Sequence, residues 1–316
     1  KLEKSYGQTT LSEIYFSINK GNFMHQIDRA ISHLSDDQLG RRAFAKRMAE
    51  YINNYKDIES YSLGITGQWG SGKTSIINML KESLDSKILV YNFTPWDISV
   101  RKQLIGDFFS GMSLLLDSEE GKKVIKAEEL SKQLKLYSSL FKPLKYIPVL
   151  APMIEAFGEI LNITSETLNL YAEGKENDLL GIKRELNKLL EESGKKILII
   201  IDDIDRLSDV EIKDIFHLVK SVGDLKNTFY ILSYDKELVT NVLNKVQQDR
   251  GQEYAEKLIN IEIKVPQIKK EDVDSLFKKE IFDLFPEING NHYHYTTVNL
   301  LFDVILTESF SNLREV

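Results

Sequence analysis

Cysteine is missing from all 316 residues. Its absence excludes a disulfide framework, a thiolate zinc site and a catalytic thiol, and it fits a reducing, cytoplasmic setting. Proline is scarce, at 6 residues, and glycine stands at an ordinary 17, which excludes a collagen-like chain. Positive charge is not in excess: 41 Lys and Arg face 48 Asp and Glu, a formal net charge of −7. A dedicated nucleic-acid binder usually carries a basic domain or stripe, so this balance argues against one. There is no internal repeat and no low-complexity tract. Nor does any apolar run read as a membrane span. The best candidate, residues 146–163, holds Pro148, Pro152, Glu155 and Glu159. Carboxylates within such a span are costly in hydrocarbon, so the stretch reads as an amphipathic or buried helix.

What is present describes an ordinary globular chain. Hydrophobic residues make up 42% and aromatics 10%, enough for a real core in about two domains. The chain opens at Lys1 and stops at Arg314-Glu315-Val316 inside a helical pattern. It reads as a fragment or a trimmed chain.

Hydrophobic periodicity orders the elements. Residues 1–21 are polar and weakly patterned. Helical spacing runs from Asn22 to about Tyr55, interrupted at Leu39-Gly40-Arg41. A strand is expected over 60–66, a glycine-rich turn over 67–72, a helix over 74–84 and a strand over 87–93 ended by Pro95. Residues 99–193 are almost wholly helical. Lys196 to Ile201 is a continuous apolar strand, followed by a helix from Ser208-Asp209 to about Val222. A strand over 228–234, a helix over 236–250 and a strand over 258–265 follow, and 271–316 is helical. Strands alternating with helices predict an α/β fold with a parallel sheet flanked by helices. The expected divisions are an N-terminal arm and helices over 1–58 and an α/β core over 59–98 and 194–268. A helical insertion over 99–193 and a C-terminal helical segment over 269–316 complete them.

Two motifs carry chemistry. Gly67-Gln68-Trp69-Gly70-Ser71-Gly72-Lys73-Thr74 fits G-x-x-x-x-G-K-[ST], with an apolar strand before it and a helix after it. Glycines allow backbone N–H groups to converge on a phosphate, and the helix adds the positive end of its dipole. Lys73 can reach the β- and γ-phosphates, and the Thr74 hydroxyl can ligate Mg²⁺. The second motif is an apolar strand delivering Asp202-Asp203-Ile204-Asp205-Arg206. A buried strand with a carboxylate at its C-terminal tip is the Walker B arrangement, and open α/β sheets bind ligands at strand C-termini. Asp202 would hold Mg²⁺, and Asp203 would orient or deprotonate a water. The alternative for both is a solvated strand-end turn. Guanine readout needs an Asn/Thr-Lys-x-Asp segment. The nearest match, Asn244-Lys245-Val246-Gln247, lacks the aspartate, which favours ATP.

Along most of its length the chain resembles the KAP family of P-loop NTPases, a branch of the ASCE-type ATPases. That branch carries an extra strand between the P-loop strand and the Walker B strand. The resemblance rests on GQWGSGKTS (67–75), NFTPW (92–96), IIIDDIDRL (199–207), FYILSYD (229–235), EKLINIEIKVP (256–266) and NLRE (312–315). It implies a nucleotide site that includes Trp69 and Ser75. It also implies that Gly40 and Arg41 line the base pocket, with a helix N-terminal turn as the alternative. Asp235 matches a γ-phosphate sensor or serves as a helix cap. Arg314 matches a second sensor or is a surface arginine. Arg206 pairs with Asp203 or Asp205, or reaches a neighbouring subunit as an arginine finger. The family places a large insertion where 99–193 stands, with transmembrane helices in many members; this chain carries no such span.

The resulting expectation is a Mg²⁺-dependent ATPase that switches oligomer packing or an attached protein effector. The resemblance alone implies bacterial defence against phage or plasmids. The alternatives are a nucleotide-gated scaffold with little turnover and a nucleic-acid-associated motor. Seven lysines between Lys122 and Lys145 favour the last weakly, since five carboxylates over 117–145 oppose them and a solvated helix face explains them. His292 and His294 have metal-like spacing but no evident third ligand, and read as a loop.

Overall fold

Largely apolar runs bounded by polar turns become strands covered on both faces, and this chain has two such runs at its centre. Ile197–Ile201 and Thr228–Tyr234 are buried throughout. The computed structural model describes residues 30–95, 104–140, 176–245 and 250–267, with 269, 271, 272, 274–276, 278 and 279 beyond them. Its strands are β1 (Tyr61–Thr66), β2 (Leu89–Phe93), β3 (Ile197–Ile201), β4 (Thr228–Tyr234) and β5 (Ile261–Lys264). Every pairing is parallel, and the order across the sheet is β2-β3-β4-β1-β5. Strand β4 therefore stands between β1, which precedes the glycine-rich turn, and β3, which ends at Asp202. This is the extra strand of the ASCE arrangement, and the predicted fold class holds.

The helices are α1 (Arg42–Asn54), α2 (Lys73–Glu82), α3 (Leu104–Asp117), α4 (Ala127–Leu140), α5 (Glu176–Ser193), α6 (Asp209–His217), α7 (Lys236–Asn244) and α8 (Gly251–Leu258). The described residues divide into two compact units. One comprises 45–69 and 83–265; the other comprises 30–44, 70–82 and the residues from 266 onward.

In the first unit a single apolar cluster joins Ile197, Ile199 and Ile201 of β3 to Phe108, Phe109 and Met112 of α3. Leu130, Leu134 and Tyr137 of α4 and Leu186 and Leu190 of α5 belong to the same cluster. Leu198 and Ile200, which alternate with those β3 positions, are buried on the opposite face. Helix α1 buries Ala45, Met48, Ala49 and Ile52. Its last turn is capped by a cation: Lys196 Nζ donates to the carbonyls of Ile52 at 2.8 Å and Tyr55 at 2.5 Å. A positive group at a helix C-terminus satisfies carbonyls left without an intrahelical donor.

In the second unit, α2 buries Ile76, Ile77, Met79 and Leu80. An extended segment is strapped along it. Ile31 N–H donates to Ser75 Oγ at 3.3 Å, Asn78 Nδ2 to the Ile31 carbonyl at 2.9 Å, and Leu34 N–H to Glu82 Oε2 at 2.6 Å.

Three local expectations differ from the structure. Between residues 30 and 41 the only helical piece is a single 3₁₀ turn, Leu34–Asp36. Asp37 ends the approach by accepting N–H bonds from Leu39 and Arg42, which starts α1 afresh. The helix expected over 236–250 stops at Asn244, and a separate helix, α8, begins at Gly251. Asn244 Oδ1 accepts the Gly251 N–H at 2.7 Å, and a Cβ at 251 would lie 2.4 Å from the Asn244 backbone nitrogen. Only glycine fits that approach. Leu258 consequently ends a helix, and β5 is confined to Ile261–Lys264.

Candidate nucleotide-binding site

The glycine-rich turn leaves the C-terminal end of β1 and enters α2 at Lys73. Gly67 N–H donates to the Tyr234 carbonyl at 3.2 Å, which ties the start of the turn to the tip of β4. Gly70 and Gly72 adopt φ of +76° and +83°, the left-handed region in which a side chain is strained. Gly72 is required a second time by space, since a Cβ there would lie 2.5 Å from Arg41 Nη1.

Arg41 is 5% exposed and directs its guanidinium at this turn. Nη1 donates to the Ser71 carbonyl, and Nη2 donates to the Pro266 carbonyl at 2.6 Å. Burial lowers the guanidinium pKa, and Asp37 opposes that shift. A trans peptide points its C=O and N–H in opposite directions. Holding the Ser71 carbonyl on Arg41 therefore turns the Gly72 N–H away from Arg41. The Ser71 hydroxyl oxygen is buried and has no hydrogen-bond partner among the described residues. A left-handed glycine pair, a fixed outward N–H and an unsatisfied hydroxyl form a cradle that suits an anion. Lys73 is buried as the first residue of α2, Thr74 follows it, and Ser75 Oγ is engaged by Ile31. Gly40, at φ +67°, stands in the turn before α1. The sequence left Arg41 between a base-pocket role and a helix turn. In the structure it stands at that turn and also clamps the loop.

At the C-terminal end of β3, Asp202 Oδ1 accepts the Asp203 N–H at 2.9 Å. Asp203 has φ +57° and ψ +38°, an uncommon conformation that Asp tolerates better than most residues. It opens the 3₁₀ turn Ile204–Arg206, which brings Arg206 back over it: Arg206 Nη2 lies 2.9 Å from Asp203 Oδ2. The same guanidinium lies 4.8 Å from the ring centroid of Trp69. Trp69 is 46% exposed for so large an apolar ring. An ion pair open to water contributes about 0.2–1 kcal/mol, and a cation–π contact at an exposed site about 0.5–1 kcal/mol. Of the roles open to Arg206, the structure shows the ion pair to Asp203. Asp235 caps α7, with Oδ1 accepting from the N–H groups of Glu237 at 2.9 Å and Leu238 at 3.3 Å.

A family model described as the KAP family P-loop domain matches residues 41–316. This chain belongs to the KAP family. Its glycine-rich turn at 67–74 lies within the matched P-loop domain. The phage T7 exclusion protein of Escherichia coli (strain K12) is 24% identical over 281 residues, which cover 84% of this KAP chain and 38% of that protein. The chain thus spans well under half the length of that relative. Among solved structures, the Aeropyrum pernix ORC2 protein in its ADP form is 10% identical with a TM-score of 0.38. The match covers 77% of this chain and 52% of that one. The Aeropyrum pernix ORC1 protein in complex with DNA is 12% identical with a TM-score of 0.39, covering 79% and 51% respectively.

Several features read from the sequence lie outside the described residues: Trp96, Arg314, His292, His294 and the apolar stretch at 146–163. Among the described residues no helix is long and apolar enough to cross a membrane. Sequence reasoning did not foresee the clamp from Arg41 to Ser71, the orphaned Ser71 hydroxyl or the stacking of Arg206 on Trp69. The one signal for the last was an aromatic residue inside a phosphate loop, where small residues suffice for anion binding.

The Arg41 clamp has a measurable consequence. Arg41→Met leaves two backbone carbonyls without their donor, and each buried unsatisfied group costs about 1–3 kcal/mol. The expected result is a drop in the denaturant midpoint together with weaker nucleotide binding. Urea unfolding followed by circular dichroism, with calorimetry under native conditions, reads both. An unchanged midpoint and unchanged affinity would remove Arg41 from the loop's support.

Proposed function

We propose that this KAP domain binds ATP with Mg²⁺ and hydrolyses it, and that nucleotide state sets the packing of chain copies or of an attached protein effector. One observation carries the reading: with β4 between them, β1 and β3 are parallel, so the phosphate loop and the acidic tip leave the same edge of the sheet. The cradle of Gly70, Ser71 and Gly72 suits the phosphates. Lys73 contributes a compact positive charge toward them. Thr74 and Asp202 are the residues that would hold Mg²⁺, a hard cation that takes oxygen ligands and usually shares them with substrate phosphates. Mg²⁺ there would neutralise charge on the phosphate oxygens. Asp203 is the proposed acceptor of a proton from the attacking water. Arg206 is proposed to supply a further positive charge, in its own subunit or in a neighbouring one, and Asp235 and Arg314 are proposed to respond to the γ-phosphate. Gly67, Trp69, Ser75, Gly40 and Arg41 complete the proposed nucleotide site.

The helical stretch 99–193 is proposed as an insertion that offers contact surface, and 269–316 as a C-terminal helical segment. The name of the E. coli relative, a phage exclusion protein, supports a place in defence against phage. A second reading, a nucleotide-gated scaffold with little turnover, is favoured by the ion pair that engages Asp203 Oδ2.

Calorimetry with ATP, with and without Mg²⁺, together with phosphate release decides between them. Binding with steady release supports the ATPase, binding without release the scaffold, and absence of binding ends both. Specific activity followed against protein concentration, with mass measured in parallel, tests the oligomer. Constant activity per chain down to a monomer would refute it.

A further inference from the structure

Arg206 sits between two elements that no local motif connects. Its guanidinium covers one face of Trp69, a residue of the phosphate loop, and its Nη2 holds Asp203 Oδ2, the tip of β3. Trp69 is 46% exposed even with that contact. The backbone beneath is shaped to bring Arg206 there: Asp203 is left-handed, and the Arg206 N–H donates to the Asp203 carbonyl at 3.0 Å, closing the turn.

We propose that Trp69 is a positioning residue that latches Arg206 onto Asp203 until nucleotide fills the phosphate loop. The inference rests on the ATP-binding reading above and adds how the loop reports to the acidic tip. Both contacts of the latch are individually weak, because each is partly open to water. Phosphates seated on the loop that carries Trp69 bring several negative charges to the element Arg206 stacks on. A polyanion competes with a single carboxylate for a guanidinium, since Arg forms strong bidentate bonds to phosphate. Arg206 then leaves Asp203, whose Oδ2 becomes free to accept from water, and its positive charge becomes available to the phosphates. Without nucleotide the carboxylate stays engaged. One residue thereby links occupation of the loop to readiness of the Asp203 carboxylate.

Tryptophan emission tests this directly, because the chain has two tryptophans, Trp69 and Trp96. In a Trp96→Phe background Trp69 is the sole reporter. The first expectation is that adding Arg206→Ala changes the emission maximum and its quenching by acrylamide before any nucleotide is present. The second is that Mg²⁺-ATP moves the Arg206-containing protein toward the Arg206→Ala spectrum. The third is that Mg²⁺-ATP produces little further change in Arg206→Ala, although calorimetry still shows it bound. Arg206→Lys keeps the charge but not the planar stack and should fall between the two. Identical emission with and without Arg206 would overturn the latch. So would an equal nucleotide-induced change in both proteins, because Trp69 would then be sensing the ligand itself. Bound nucleotide with unchanged emission of the Arg206 protein would overturn its opening. Failure of the underlying reading looks different: calorimetry then shows no ATP binding to any variant, and the nucleotide-driven opening falls with it.

Discussion

Asp203→Asn is expected to lower ATP turnover by ~10²–10⁴-fold, the usual worth of a positioned acid or base. Asparagine has nearly the same shape and tolerates the left-handed backbone that Asp203 adopts at φ +57°. What it lacks is the charge and basicity needed to take a proton from water. The substitution also removes the ion pair to Arg206, whose side chain is 36% exposed. A pair of that exposure contributes about 0.2–1 kcal/mol, so folding should be nearly unaffected. ATP affinity should change little for the same reason: Asp203 is proposed to act on water, whereas Asp202 is proposed to act on the metal. Phosphate release at saturating ATP, beside calorimetry on the same preparation, separates the two quantities. Turnover at the wild-type rate would assign the role to another group. Loss of binding in step with turnover would mean that Asp203 supports the nucleotide rather than the water.

Lys73→Ala is expected to weaken ATP binding by roughly 10–150-fold, since a hydrogen bond to a charged group contributes about 1.5–3 kcal/mol. Lys73 opens α2 and is 6% exposed, so its side chain is committed to the interior of its surroundings rather than to bulk water. The ammonium is a compact point charge on a flexible stem, which suits phosphate oxygens approached end-on. Arg at this position brings a wider planar group and should restore little. Calorimetry with Mg²⁺-ATP measures the loss, and far-UV circular dichroism checks that the helix remains. Full affinity in Lys73→Ala would overturn the phosphate role of the loop. Together the two variants divide the proposal: on this reading Lys73 would govern whether nucleotide binds, and Asp203 what happens to it.

Much of this was legible from the chain because its information is local. Ile197–Ile201 is a continuous apolar run and Thr228–Tyr234 is rich in apolar and aromatic residues, and such runs become buried central strands wherever a sheet is covered on both faces. The phosphate loop is eight consecutive residues, Gly67 to Thr74, whose chemistry is backbone N–H groups and one helix start. The acidic tip is a carboxylate at the end of a strand. Each motif carries its own context, so composition and spacing were enough to name them. The helix at Gly251–Leu258 was less accessible, since its start depends on Asn244 accepting a backbone N–H seven residues on.

Arg41 meets Ser71 from 30 residues away and Pro266 from 225, and no pattern in the sequence encodes either meeting. The stacking of Arg206 on Trp69 is of the same kind. By itself the sequence determined the parallel α/β class, the phosphate loop and the carboxylate pair, because hydrophobic periodicity and short motifs act over a few residues. Only the tertiary structure decided what surrounds them: the clamp of Arg41 on the loop, the contact of Arg206 with Trp69, and the choice of Asp203 as an ion-pair partner of Arg206. The physical reason is that side-chain ion pairs, stacking and carbonyl contacts depend on positions brought together by the whole fold, and each is too weak to impose itself on the chain beforehand.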